Sequence, residues 1–372
     1  MPNYPTGFPG AVSGAVSGEW DQLTTGASAA PVPTVSSRPP KYAPPAPWLP
    51  QPTHIVSGYA VAPGVLTKVA DVINSEVPGL DKAIGELRSA WNSGSFRGVV
   101  GGGFEADWLA GQRFDVMLDM IAKGFISAAT QVADLLADAV RRLRDTASTY
   151  AEAEDRNHQA VVGGQGGSVP NDGHNYAPPP VVQKAEIKPD YHYLGVPSYA
   201  LAPIKPHIMS VLHNLEPGSW TNLGGFLLDL GGTLHDVAQQ VADGGNQLAE
   251  YWQGGAAAAS IQAFQRMYGQ AATLAAEAAQ TGNVLNWVGK DVVPKFKGIP
   301  SPVLVTGLLE DIRANLGGEG FDNMLREPGN STDDAALATA LKHGEQYLKA
   351  LENYLVQAYN AIPSPIAGTP GS

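Results

Sequence analysis

Cysteine is absent from this 372-residue chain. That excludes disulfides, thiolate metal sites and a cysteine nucleophile. It does not separate an exported protein from a cytosolic one. Basic charge is scarce: 23 Lys and Arg stand against 35 Asp and Glu, a net charge of −12. Both halves of the chain are acidic, so neither reads as a basic nucleic-acid module. The same balance argues against holding an anionic membrane by charge alone. An unbroken apolar run of about 18 residues, the mark of a transmembrane helix, is missing. The opening Met1-Pro2-Asn3-Tyr4-Pro5 lacks the charged and apolar regions of a secretory signal peptide.

Catalytic patterns are equally scarce. The eight histidines form no HExxH or HxH pair, and five lie in or beside Pro/Gly-rich segments. Surface or structural histidine is the expectation, with no metal site. The acidic pairs Asp134/Asp138 and Glu152/Glu154 fit the solvated face of a helix better than acid–base chemistry, which needs a pocket that raises one pKa. Gly101-Gly102-Gly103 has no Walker lysine and no preceding strand, and reads as a hinge. No Ser/His/Asp pattern marks a nucleophile elbow. A non-enzyme without cofactors is expected.

Glycine and proline are abundant, at 43 and 30 residues. Proline concentrates in 1–57 and 161–206, which also hold glycine and where long apolar side chains have no regular period. Such segments bury too little apolar surface to offset the entropy of ordering them. Both read as flexible or extended, with polyproline II stretches at Pro39-Pro40 and Pro44-Pro45-Ala46-Pro47.

Between these segments the apolar residues recur at helical spacing. Residues 58–160 carry Leu66, Val69, Ile73, Val77, Leu80, Ile84, Leu87 and Trp91, interrupted by Pro78-Gly79, where a kink or a break into two helices is expected. A Gly-rich stretch follows, then a long helix from near Phe104 or Trp108 to Tyr150. Residues 207–300 carry two more runs. The first passes through Trp220, Leu223, Leu227, Leu230, Leu234, Val237, Val241, Leu248 and Tyr251. The second passes through Ile261, Phe264, Tyr268 and Leu274 to Val288. Gly224-Gly225 and Gly231-Gly232, one heptad apart, read either as breaks or as a groove where another helix comes close. Residues 301–372 hold a further helical segment, a C-terminal helix near 333–361 and a loose tail. The expected fold is all-α: two long hairpins forming a four-helix bundle, with disordered Pro/Gly-rich arms and an extra C-terminal helix.

Two short motifs stand out. Trp252-Gln253-Gly254 separates the helices of the second hairpin, and Tyr150-Ala151-Glu152-Ala153-Glu154 ends the long helix of the first. Trp252-x-Gly254 resembles the turn of the WXG-type substrates of the type VII (ESX) secretion system. Tyr150-x-x-x-Glu154 resembles that system's Tyr-x-x-x-Asp/Glu export signal. The turn of the first hairpin departs from the pattern, reading Trp91-x-x-Gly94 or Trp108-x-x-Gly111, with one residue more. The division of the two motifs between hairpins resembles PE–PPE-like pairs and their single-chain fusions. The resemblance implies a leaderless secreted protein of an actinobacterium or relative, cytoplasmic before export and recognised by the secretion ATPase or a dedicated chaperone. It implies an export signal at Tyr150 and Glu154, hairpin turns at Trp252/Gly254 and Trp91/Gly94, and Tyr150 and Trp252 at one end of the bundle. Self-association or a WXG-type helical partner is open. The other readings are the targeting portion of a toxin, a cytosolic or phage coiled-coil assembly protein, and a membrane-active bundle using the Leu223–Leu234 patch.

Overall fold

The computed structural model describes residues 32–48, 63–101, 108–162, 208–252, 255–297 and 332–363. Gly254, residues 1–31, most of 161–206 and the segment near 303–316 lie outside them. Among the described residues regular structure is helical, apart from an isolated antiparallel bridge between Val100 and Leu215 and a bridge residue at Trp252. The fold is all-α.

The first helix, α1, runs Pro63–Asn92 without a break. This corrects the expected division into two helices at Pro78-Gly79. Pro78 cannot bond the carbonyl of Asn74, but both residues are exposed, so the freed carbonyl is on the water side. Leu66, Val69, Ile73, Leu80, Ile84 and Leu87 stay buried on one face across the proline. That continuous apolar stripe holds the two halves in one helix. The helix ends in a Schellman motif: Gly94 N–H bonds the Trp91 carbonyl at 3.1 Å and Ser95 N–H the Ala90 carbonyl at 3.1 Å. The motif needs a left-handed residue, and Gly94 supplies it with φ 76°.

Helix α2, Leu109–Val162, is antiparallel to α1 and far longer, 54 residues against 30. Arg144 pairs with Asp71 at 2.8 Å, and Arg88 Nη2 donates to Thr130 Oγ1 at 3.3 Å, fixing the register between them. Asp138 pairs with both Arg141 and Arg142 along the solvent face. By length and composition α2 is apolar enough to cross a membrane, although its sequence has no unbroken apolar run. Of its most apolar window, 61% is buried inside the molecule.

A short helix, α3 (Ile208–His213), leads to α4 (Pro217–Tyr251), which passes unbroken through both glycine pairs. Helix α5 (Gly255–Trp287) returns antiparallel to α4. A π turn, Val288–Val292, and the short α6, Val293–Phe296, extend it; Val293 N–H reaches back five residues to the Val288 carbonyl. Pro294 supplies no N–H to the preceding turn.

Small residues set the α4–α5 distance. A Cβ on Gly224 would lie 2.9 Å from the Gly282 carbonyl oxygen, and one on Gly231 3.1 Å from that of Ala275. Gly225 and Gly232 point to open space. Helix α1 packs on α4, and α2 touches α4 and α5. One continuous apolar cluster joins all of these helices to the last one, α7 (Thr332–Ala361).

Residues 32–48, expected to be flexible or extended, carry no helix and pack on the helices. They lie along α5, α6 and α7, with Val35 buried and Trp48 packed on the core. Composition alone sees few apolar residues there. The partners that order the segment lie about 200 or more positions away in the chain.

Candidate functional site

Trp252 is the C-cap of α4. The backbone leaves the helix there (φ −131°, ψ 128°), while its N–H still bonds the Leu248 carbonyl at 2.9 Å. Leaving helical geometry turns the indole into the core, where it is 2% exposed. Tyr251, by contrast, is 49% exposed. The apolar stripe of α4 therefore ends on Trp252, and its assignment to Tyr251 is corrected. The neighbouring Glu250 carboxylate bonds the Tyr251 hydroxyl and raises its pKa. Just past the turn, Ala257 and Ser260 are buried, and small side chains here admit neighbouring helices closely.

Tyr150 approaches this turn from α2, late in its 54 residues. Its half-buried ring stands edge-on to Trp252, with centroids 6.5 Å apart and planes at 85°. That is a favourable aromatic geometry. Glu154 lies one helical turn beyond Tyr150 and is exposed. The other described side chains past Tyr150 are exposed too, except Ala153, which is intermediate. Thus α2 carries Glu154 out past the packed part of the molecule. Gly254 lies outside the described residues.

Trp91 and Gly94 sit at the other end. Phe96, just beyond Gly94, packs edge-on against Phe226 at 5.9 Å. Phe226 is about 40 Å along α4 from Trp252, at about 1.5 Å per residue. Trp91 Nε1 donates to Asp119 Oδ1 at 2.6 Å, and Lys123 Nζ stands 5.0 Å above its ring. Burial alone would raise the Asp119 pKa. Hydrogen bonds from Lys123, Trp91 and Arg97 outweigh it and hold the carboxyl below its ordinary value. Gly94 closes α1 rather than forming a Trp-x-Gly bend.

The alternative Trp108-x-x-Gly111 has a different meaning. A Cβ on Gly111 would fall 2.4 Å from the Trp108 ring, so the glycine lets that indole fold over the start of α2. Trp108 Nε1 donates to Glu352 Oε1 of α7 at 2.9 Å, in a site where Glu352 is 3% exposed. Phe114 bridges Trp108 and Trp220, with centroids at 6.4 and 5.6 Å. Sequence reading missed this cluster because its members lie up to 244 positions apart. No local spacing announces it.

Among the described residues, no group of three or more His, Cys, Asp or Glu is placed to hold a metal ion. Comparison with protein-family models, with curated proteins and with solved structures returns no significant match.

Proposed function

We propose that this chain is a non-enzymatic substrate of a type VII (ESX) secretion system, acting as a helical bundle at the cell envelope or outside the cell. In this reading α1, α2, α4 and α5 are the four helices of the bundle. Tyr150 and Glu154 form the export signal, and Trp252 with Gly254 forms the hairpin turn. The observation that carries the proposal is the edge-on contact of Tyr150 with Trp252 at 6.5 Å. Two short motifs from separate hairpins meet at one point, which neither motif requires on its own. The exposed helix end bearing Glu154 gives a secretion ATPase or a chaperone access to a charged side chain beside this contact.

Export is the test. Tyr150→Ala and Glu154→Ala, singly and together, are expressed in a host with its own type VII system. Protein is then measured in culture supernatant and cell pellet. The expected result is loss from the supernatant with an unchanged pellet level. Unchanged export of the double variant sinks the assignment. Glu154→Ala is the cleaner variant, because Glu154 is exposed and its removal leaves the core intact.

A further inference from the structure

The arm segment 32–48 meets the helices in a repeating way. Pro39, Tyr42, Pro45 and Trp48 are partly buried, as is Pro40, whose carbonyl is bonded to the helices, while Lys41, Ala43, Pro44, Ala46 and Pro47 are exposed. From Pro39 to Trp48 an inward side chain recurs every third residue, the period of a polyproline II helix. The rise agrees. Gln280 Nε2 donates to the Pro40 carbonyl at 2.5 Å and Tyr268 OH to the Ala46 carbonyl at 3.1 Å. The arm thus covers the stretch of α5 from Gln280 to Tyr268, about 18 Å at about 1.5 Å per residue, between Pro40 and Ala46. At about 3.1 Å per residue a polyproline II chain spans about the same length.

The helices read the arm mainly through its backbone. Besides Gln280 and Tyr268, Lys295 Nζ donates to the Thr34 carbonyl at 2.8 Å. Trp287 Nε1 donates to Ser37 Oγ at 2.9 Å, and Val35 N–H donates to Tyr354 OH at 3.1 Å. Tyr268, Trp287 and Tyr354 all contact the arm, and aromatic-lined grooves are where polyproline II segments dock. The end of the arm has a shaped seat. A Cβ on Gly245 would lie 2.3 Å from the Trp48 ring, so that ring rests directly on the α4 backbone, 5.8 Å from the Tyr268 ring.

We propose that the face built from α4, α5, α6 and α7 is a binding site for an extended, proline-rich peptide, and that residues 32–48 fill it in cis as the resident ligand. The arm also latches the C-terminal helix. Gln280 Nε2 is shared between the Pro40 carbonyl and the Ala361 carbonyl, at 3.2 Å to the latter, and Tyr354 of α7 packs on Trp287. Arm and α7 therefore use the same side chains and hold each other in place. The inference is independent of the export reading and survives its failure.

The test uses the full chain and a labelled synthetic peptide of residues 32–48. A tethered ligand competes at roughly millimolar effective concentration. The intact chain should therefore bind the free peptide at least about tenfold more weakly than a chain whose own arm is loosened by Tyr42→Ala and Trp48→Ala. Adding Gly245→Ala to the loosened chain fills the Trp48 seat and should abolish that gain. Alanine is favoured over glycine within a helix, so this change does not threaten the fold. A peptide of the same composition in scrambled order, with the three-residue register lost, should not bind. Equal binding of native and scrambled peptides, or no binding to the loosened chain, overturns the proposal. Hydrogen exchange on the unmodified chain gives a second reading. The Val35 amide should be protected, and Tyr354→Phe should remove that protection. A Val35 amide that exchanges at the rate of a free peptide also overturns it.

Discussion

Gly282 and Gly225 differ chiefly in what lies opposite them. A Cβ on Gly282 would come within 2.7 Å of the Gly224 carbonyl oxygen and 2.9 Å of Leu228 Cγ. The carbonyl is helix backbone and cannot turn aside, so α4 and α5 must part to admit a methyl group. Gly282→Ala is expected to cost about 1–3 kcal/mol, the range for overpacking a tight core. Gly225 meets nothing within 4 Å. There, Gly225→Ala keeps the helix and removes glycine's entropic penalty, a gain of up to about 1 kcal/mol. Urea denaturation of the two variants should move in opposite directions, and a loss in both would refute the account. Half of this is legible in the sequence. Gly224 and Gly231 each follow a leucine of the buried stripe, which places them on the packed face and Gly225 and Gly232 beyond it. Gly282 has no such marker, because its partner is close in space and distant in the chain.

At the scale of elements, local signals and tertiary packing compete, and packing wins in two places. Pro78-Gly79 signals a helix break, yet α1 continues through it because the apolar stripe on either side docks on the same neighbours. The proline still costs a backbone hydrogen bond on the exposed side. Pro78→Ala should restore it and raise stability by about 1–3 kcal/mol, the upper end being the intrinsic helix penalty of proline. Thermal unfolding measures this, and a lower melting temperature in the variant would show that the proline serves the native packing. The arm is the second place. Its composition reads as disorder, and only the spacing of Pro39, Tyr42, Pro45 and Trp48 hints at one ordered face. A period of three has no apolar stripe to go with it, since two of those four residues are prolines. Composition therefore hides the ordering until Trp287, Tyr268 and Gln280 are seen to supply donors. The long helices themselves were legible, because a helical period held over dozens of residues has no competing explanation.

Across the whole molecule, the open matter after sequence reading is whether the hairpins pack on each other or on other chains. The amphipathic pattern fits both, because a stripe needs cover but does not name it. In the structure, α1 covers α4, α2 reaches α4 and α5, and α7 joins the same cluster, all within one chain. Among the described residues only Val32, Val116 and Tyr251 are exposed large hydrophobics. Intramolecular closure makes a sharp prediction at the Tyr150–Trp252 contact. A photoreactive benzoylphenylalanine placed at Tyr150 should cross-link to the peptide carrying Trp252, in a product that keeps the 38.9 kDa mass of one chain. The yield should not change with protein concentration, since the two rings share a molecule. Mixing light and isotopically heavy chains before irradiation separates the alternatives. Cross-linked peptides should be wholly light or wholly heavy when the hairpins close on themselves. Mixed peptides at statistical frequency would mean that Tyr150 of one copy meets Trp252 of another, and the two motifs would then be joined only by assembly.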